Sequence, residues 1–377
     1  MAVTPRDNLR VLLDGGSPRW IPFSLDVGAI PGLTEPVNRK YMEATGATVG
    51  WDKRSEFPPG VSGDSSGTVP RAPHPPCFDT DWRLFSLSAR FGGDDPASLH
   101  EATPPGTTFD EWGIGHWAGG MEGTLDKNFA PLARAASIAD VEALPTPVIA
   151  TDFDPRLVPA WHEAGYPVFG YAGSIYEWSW WLRGMEAFLM DLVSEPSLAE
   201  AVVRKVEGHT TRLALASAAA GVDVLCFYDD AGTQRGMQIA PALWRRFIRP
   251  AWQRVLDAVR SRFPHARFFL HSCGKIDAIV PDIVDLGFHI LHPIQPECMD
   301  FESVYRNYGG RIALAATISS QRLFPFGSAD EVRAEVRRLA AIAADRRAIL
   351  MPSNRIQPET PWDNVLAFAE ACRELRP

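Results

Sequence analysis

The sequence has no apolar run long enough to span a membrane. Its first residues, Met1 to Asp7, lack the apolar stretch of a secretory leader. Cysteine is scarce: Cys77, Cys226, Cys273, Cys298 and Cys372, an odd number widely scattered. That pattern is no disulfide framework, so reduced thiols in a cytoplasmic protein are expected. Positive charge is not in excess either. Lys and Arg number 37 against 46 Asp and Glu, a net charge of −9, which argues against nucleic acid as a partner. No G-x-G-x-x-G follows the first strand and no G-x-x-x-x-G-K-[ST] occurs, so nucleotide binding has no support. Proline and tryptophan are plentiful, at 32 and 12 residues, and point to long ordered loops with aromatic plugs.

From Tyr166 onward, apolar strands and amphipathic helices alternate at the spacing of βα units in a parallel sheet. Strands are expected at Pro167–Gly173, Val222–Asp230, Arg267–Leu270, His289–Ile294, Arg311–Thr317 and Ala348–Met351. Trp20–Asp26 reads as a first strand, and Phe78–Phe85 as a hairpin strand. With one strand hidden in the early region the count reaches about eight, the number that closes a (β/α)8 TIM barrel. A doubly wound open sheet is the alternative. One domain over residues 1–377 is expected, with residues 28–150 as an elaborated, insertion-rich part covering one end of the sheet.

In either architecture the carboxyl ends of the strands face the substrate. They deliver Asp26, Tyr171, Tyr228, Asp229, Asp230, His271, Cys273, His292, Gln295 and Asn354. The segment Arg267-Phe-Phe-Leu-His-Ser-Cys-Gly274 is the most informative. His271 and Cys273 at i and i+2 of an extended chain point to one side, placing an imidazole beside a thiol. A lone buried Cys is more often a small core residue, and a lone His more often has a structural hydrogen bond. A strand-end H-x-C-G before a helix is nevertheless what half of a zinc site needs. A third ligand must come from another strand end, and both Cys298 and Asp230 qualify. Tyr228-Asp229-Asp230 brings neighbouring carboxylates to a strand end, where both stay ionised only if a cation or donors compensate. The bland reading has Asp230 capping the turn and Asp229 solvated. Asn354 and Arg355 follow the last strand, where the guanidinium is a candidate clamp for a substrate carboxylate.

Taken together, Asp229-Asp-Ala-Gly-Thr-Gln-Arg235, His271-Ser-Cys-Gly274, Pro293-Ile-Gln-Pro296, Ile356-Gln-Pro-Glu-Thr-Pro-Trp-Asp-Asn364 and Gly106-Thr-Thr-Phe-Asp-Glu-Trp-Gly113 resemble the uroporphyrinogen decarboxylase superfamily. The resemblance implies one (β/α)8 barrel with the site at the carboxyl ends of the strands. True decarboxylases carry an Arg-rich M-R-Q-A-G-R segment near the N-terminus, and Pro18–Asp26 here lacks it. The other branch holds corrinoid-dependent methyltransferases that bind zinc through H-x-C and a later Cys near the last strand. His271 and Cys273 match the first part, whereas the last strand reads Leu350-Met-Pro-Ser-Asn354 without the later Cys. The resemblance therefore implies methyl transfer between a small methoxy, methylthio or methylamine compound and a corrinoid protein, in a monomer or homodimer. Zinc would sit at His271 and Cys273, with Cys298 or a carboxylate completing it. Tyr228, Asp229, Asp230 and Asp26 are the expected acid/base residues, and Gln295, Asn354, Arg355 and Tyr171 the substrate contacts. The alternatives are a decarboxylase of uroporphyrinogen or another small carboxylate, and a barrel that only binds a ligand.

Overall fold

The computed structural model describes residues 3–47, 78–117 and 127–377. Seven parallel strands form its central sheet in simple sequential order: β1 (Arg83–Phe85), β2 (Val168–Gly173), β3 (Val224–Tyr228), β4 (Arg267–His271), β5 (Ile290–Ile294), β6 (Ala313–Ile318) and β7 (Ala348–Pro352). The curled sheet is completed by the extended segment around Phe23. On one side Leu350 N–H donates to Pro22 O and Ser24 N–H to Leu350 O. On the other, Asp81 N–H donates to Phe23 O. The segment expected as a first strand thus lies between β7 and the approach to β1, the place of an eighth strand in a barrel. Helices Pro196–Ala219, Arg249–Arg262, Ala329–Ile342 and Trp362–Glu374 are among those that follow the strands and cover them outside.

Alternation along the strands separates two apolar layers. Leu84, Phe169, Val224, Cys226, Tyr228, Phe269, Ile290, Ala313, Ala315, Ile349 and Met351 form one buried cluster, the filling of the barrel. Their neighbours Val168, Leu225, Phe227, Phe268, Leu270, Leu291, Leu314 and Leu350 belong to the other, which meets the helices. Because both faces are buried, the strands read as near-continuous apolar runs. The N-terminal helix Pro5–Leu13, capped by Thr4 through a reciprocal bond pair with Asp7, adds Leu9 and Leu12 to the inner cluster.

Several local expectations are corrected. Within Phe78–Phe85 only Arg83–Phe85 is a strand, and it pairs parallel with β2 rather than in a hairpin. The hairpin of the early region lies later, where Thr108–Phe109 pairs antiparallel with Gly115–Trp117. The helical stretch after β2 is two helices, Tyr176–Arg183 and Met185–Ser194, parted by Gly184 at φ 86°. Within the described part of the early region, Trp112 meets Trp178 and His209, from the helices that follow β2. Among the described residues no helix is long and apolar enough to cross a membrane. Cys77 lies outside the described residues.

Candidate functional site

The inward parity of β3 and β4 persists past their last ladder bonds. Tyr228 and His271 face each other in register, and two residues further Asp230 and Cys273 turn to the same side. Cys273 Sγ lies 3.2 Å from His271 Nε2, and Asp230 Oδ1 lies 3.4 Å from the same nitrogen. All three donor atoms fall within 4.8 Å of one another, a grouping of metal-ligating atoms found nowhere else among the described residues. The turn is held by backbone bonds: Cys273 N–H donates to Asp230 Oδ1 at 2.7 Å, and Gly274 N–H to Gln295 Oε1 at 2.7 Å. Gly274 adopts φ 86°, and a Cβ there would sit 2.5 Å from the Gly232 carbonyl carbon, so only glycine lets the two loops touch.

Burial sets the electrostatics. His271 is held neutral, its pKa pushed down to about 4 by loss of solvent. Burial raises the Cys273 thiol well above its ordinary range, with the nearby Asp230 and Glu177 carboxylates adding to the effect. Asp230 is raised too, chiefly by burial. A thiol, a neutral imidazole and a carboxylate that are all uncomfortable as isolated ions form a site that a cation would relieve.

Glu177 is the residue that sequence reasoning missed. It sits in the first turn of helix Tyr176–Arg183, and its pKa is raised well above normal by burial and then by the charges of Asp230 and Asp229. Its one sequence signal is an acid at a helix start just past a strand end, a common capping position.

The remaining expected residues divide sharply. Asn354 reaches the cluster, with Nδ2 donating to Cys273 Sγ at 3.5 Å. Gln295 holds the Gly274 turn and is buried. Tyr171 stacks on Tyr228 with ring centroids 5.3 Å apart, and its pKa is raised by loss of solvent and by Glu111 and Glu177.

Asp229 points the other way from Asp230. Its Oδ1 accepts from Ser174 Oγ–H, Ile175 N–H and Glu177 N–H, and its Oδ2 from Trp252 Nε1–H. It is the buried anchor of the helix after β2, Tyr176–Arg183, so the expected roles of the two aspartates are reversed relative to the bland reading. The Tyr228 hydroxyl donates to Val27 O and accepts from Ala29 N–H, both at 2.7 Å, leaving no free proton for acid/base work. Asp26 is buried, receives Ser24 Oγ–H and Gly32 N–H, and has its pKa pushed up to about 6 by burial. Arg355 spends its guanidinium on the carbonyls of Pro31 and Leu33. Cys298 is absent from the cluster: its turn folds back on Gln295 O, and its Sγ faces Gln234 Oε1 at 3.2 Å. The third donor beside His271 and Cys273 is thus the carboxylate of Asp230.

The family profile of uroporphyrinogen decarboxylase (URO-D) matches residues 156–375, which include β2 to β7 and the whole cluster. The methylcobamide:CoM methyltransferase MtaA of Methanosarcina barkeri is 27% identical over 203 residues, covering 51% of this chain and 57% of that protein. The protein of the same name from the Fusaro strain is 26% identical over the same shares. The chain therefore spans little more than half the length of these curated relatives. A methyltransferase structure from Methanosarcina mazei covers 99% of both chains with a TM-score of 0.63 at 21% identity, a likeness of fold. The profile match takes in more than half of the chain and every donor of the rim cluster, and the chain belongs to the uroporphyrinogen decarboxylase (URO-D) family.

Proposed function

We propose that this protein is a zinc-assisted methyltransferase that moves a methyl group between a small methoxy, methylthio or methylamine compound and a corrinoid protein. The observation that carries the reading is the convergence of His271 Nε2, Cys273 Sγ and Asp230 Oδ1 at the barrel mouth. The donor set fits zinc. Tetrahedral ligands at 2.0–2.3 Å from the ion lie about 3.3–3.8 Å from one another; the two separations from His271 Nε2 are 3.2 and 3.4 Å, and the third lies within 4.8 Å. Three protein ligands leave a fourth position for substrate, the arrangement of catalytic zinc. Bound there, zinc would lower the pKa of a neighbouring thiol, alcohol or amine and make it a better methyl acceptor or leaving group.

The chain's own groups divide the remaining work. His271 offers a neutral nitrogen without having to shed a proton. Cys273 keeps its thiol proton until a cation arrives, and Glu177, its pKa raised well above normal by burial and by the Asp230 and Asp229 charges, adds a further acidic group at the same rim. Asn354 Nδ2–H, directed at Cys273 Sγ, orients the sulfur. The name of the Methanosarcina barkeri relatives supports methylcobalamin chemistry as the class to test. We also take residues 1–377 as one domain, the early part being its cover.

Metal content of the purified protein, followed by methyl transfer from methylcobalamin to thiols, alcohols and amines, tests the reading. One zinc per chain is expected, lost in Cys273→Ser and Asp230→Ala and kept in Cys298→Ser. A protein without zinc that releases carbon dioxide from uroporphyrinogen would overturn it in favour of the decarboxylase.

A further inference from the structure

Behind the three donors lies a second imidazole that the proposed chemistry does not use. His292 on β5 is in register with His271 on β4 and is completely buried. Its Nδ1 lies 2.8 Å from His271 Nδ1, and its Nε2 lies 2.9 Å from the carbonyl oxygen of Pro352 on β7. The Phe269 ring stacks on it at 5.5 Å between centroids with planes 25° apart, which fixes the plane of the imidazole.

We infer that His292 is a positioning residue, which locks His271 in the tautomer that turns a bare Nε2 lone pair toward Cys273 and Asp230. The inference rests on the metal reading of the rim for its purpose, but the logic is that of hydrogen-bond polarity. A carbonyl oxygen only accepts, so His292 Nε2 must carry the hydrogen that meets Pro352 O. A neutral imidazole has one N–H, so His292 Nδ1 is then an acceptor. The nitrogen facing it at 2.8 Å, His271 Nδ1, must donate, and His271 Nε2 is left with its lone pair. The opposite assignment would set the His292 Nε2 lone pair against the Pro352 oxygen in a site without solvent, where an unmade bond is costly. A charged His292 would escape this choice, but it would be a fully buried cation held only by a neutral imidazole and a backbone carbonyl, a costly arrangement. The backbone of β7 thus dictates, through His292, the state of His271 three strands away. A hydrogen bond to the distal nitrogen of a ligating histidine also raises its basicity.

The test is nitrogen-15 NMR of the full-length chain labelled at histidine, after removal of metal with a chelator. His271 is expected as the Nδ1–H tautomer and His292 as the Nε2–H tautomer. Zinc affinity is then read by competition with a chromophoric chelator. His292→Phe, which keeps the ring and loses both bonds, is expected to weaken zinc binding about 10–100-fold. His292→Gln, with a carbonyl for His271 and an amide N–H for Pro352, is expected to restore most of it. An Nε2–H tautomer at His271, or a folded His292→Phe protein that binds zinc as wild type does, would overturn the inference. Should the wild-type protein bind no zinc, the metal reading falls while the tautomers of the metal-free protein still decide the relay. The same spectra decide it if His292→Phe fails to fold.

Discussion

Replacing each of two adjacent aspartates by alanine should separate stability from chemistry. Asp229→Ala removes the acceptor of four donors, the Ser174 hydroxyl, the Ile175 and Glu177 amides and the Trp252 indole, all around a buried carboxylate. Leaving a buried donor unpaired costs about 1–3 kcal/mol, so the gross loss is roughly 4–12 kcal/mol. Part is returned, because the carboxylate itself is expensive to bury: its pKa rises from 3.8 to about 6, equivalent to about 3 kcal/mol. The difference is roughly 1–9 kcal/mol, and the losses of about 3–5 kcal/mol seen when other buried charged networks are broken set the expectation within it at about 3–5 kcal/mol. Asp230→Ala differs. Its side chain is 31% exposed and accepts one backbone bond, from Cys273 N–H, and removing it relieves Glu177 of a neighbouring negative charge. Its cost in stability should stay within about 1 kcal/mol, while zinc binding collapses. Urea unfolding gives the first quantity and chelator competition the second. An Asp229→Ala protein as stable as wild type, or an Asp230→Ala protein with undiminished zinc affinity, would refute the division of roles.

Two further substitutions probe groups set aside from the chemistry. Tyr228→Phe strips partners from Val27 O and Ala29 N–H and should cost about 2–4 kcal/mol in urea unfolding, with zinc affinity unchanged. His209 is buried between Trp112 and Trp178, neither ring nitrogen has a partner, and burial, with Arg212, pushes its pKa down to about 4. Between pH 6.5 and about 4 the unfolded chain takes up a proton there that the folded chain refuses. The contribution is therefore complete above pH 6.5 and lost on acidification, amounting to about 2 kcal/mol at pH 5. His209→Phe should shrink the difference in unfolding free energy between pH 7 and pH 5 by about that amount, and an unchanged difference would show that His209 titrates normally.

What was legible from residues alone followed from periodicity. Strands buried on both faces announce themselves as apolar runs, so β2 to β7 were readable within a residue or two, as was His271 beside Cys273. Arg83–Phe85 was harder, since three residues flanked by Asp and Trp show neither alternation nor a run, and its parallel partner lies more than eighty residues downstream. The same period-two rule also assigns the two aspartates at the end of β3. Val224, Cys226 and Tyr228 all face inward, so continuing the count sends Asp230 to the mouth and Asp229 outward to the helix layer, where it was found. Parity fails once the chain turns. Cys298 lies four residues beyond the end of β5 in a turn closed on Gln295 O, and its facing carried no information. Glu177 was out of reach for another reason: it arrives from the helix after β2 and meets Asp230 only because Asp229 pins that helix to the end of β3. A buried carboxylate with no catalytic part thus delivers the acidic neighbour of the site, a dependence that exists in space and leaves no local mark on the chain.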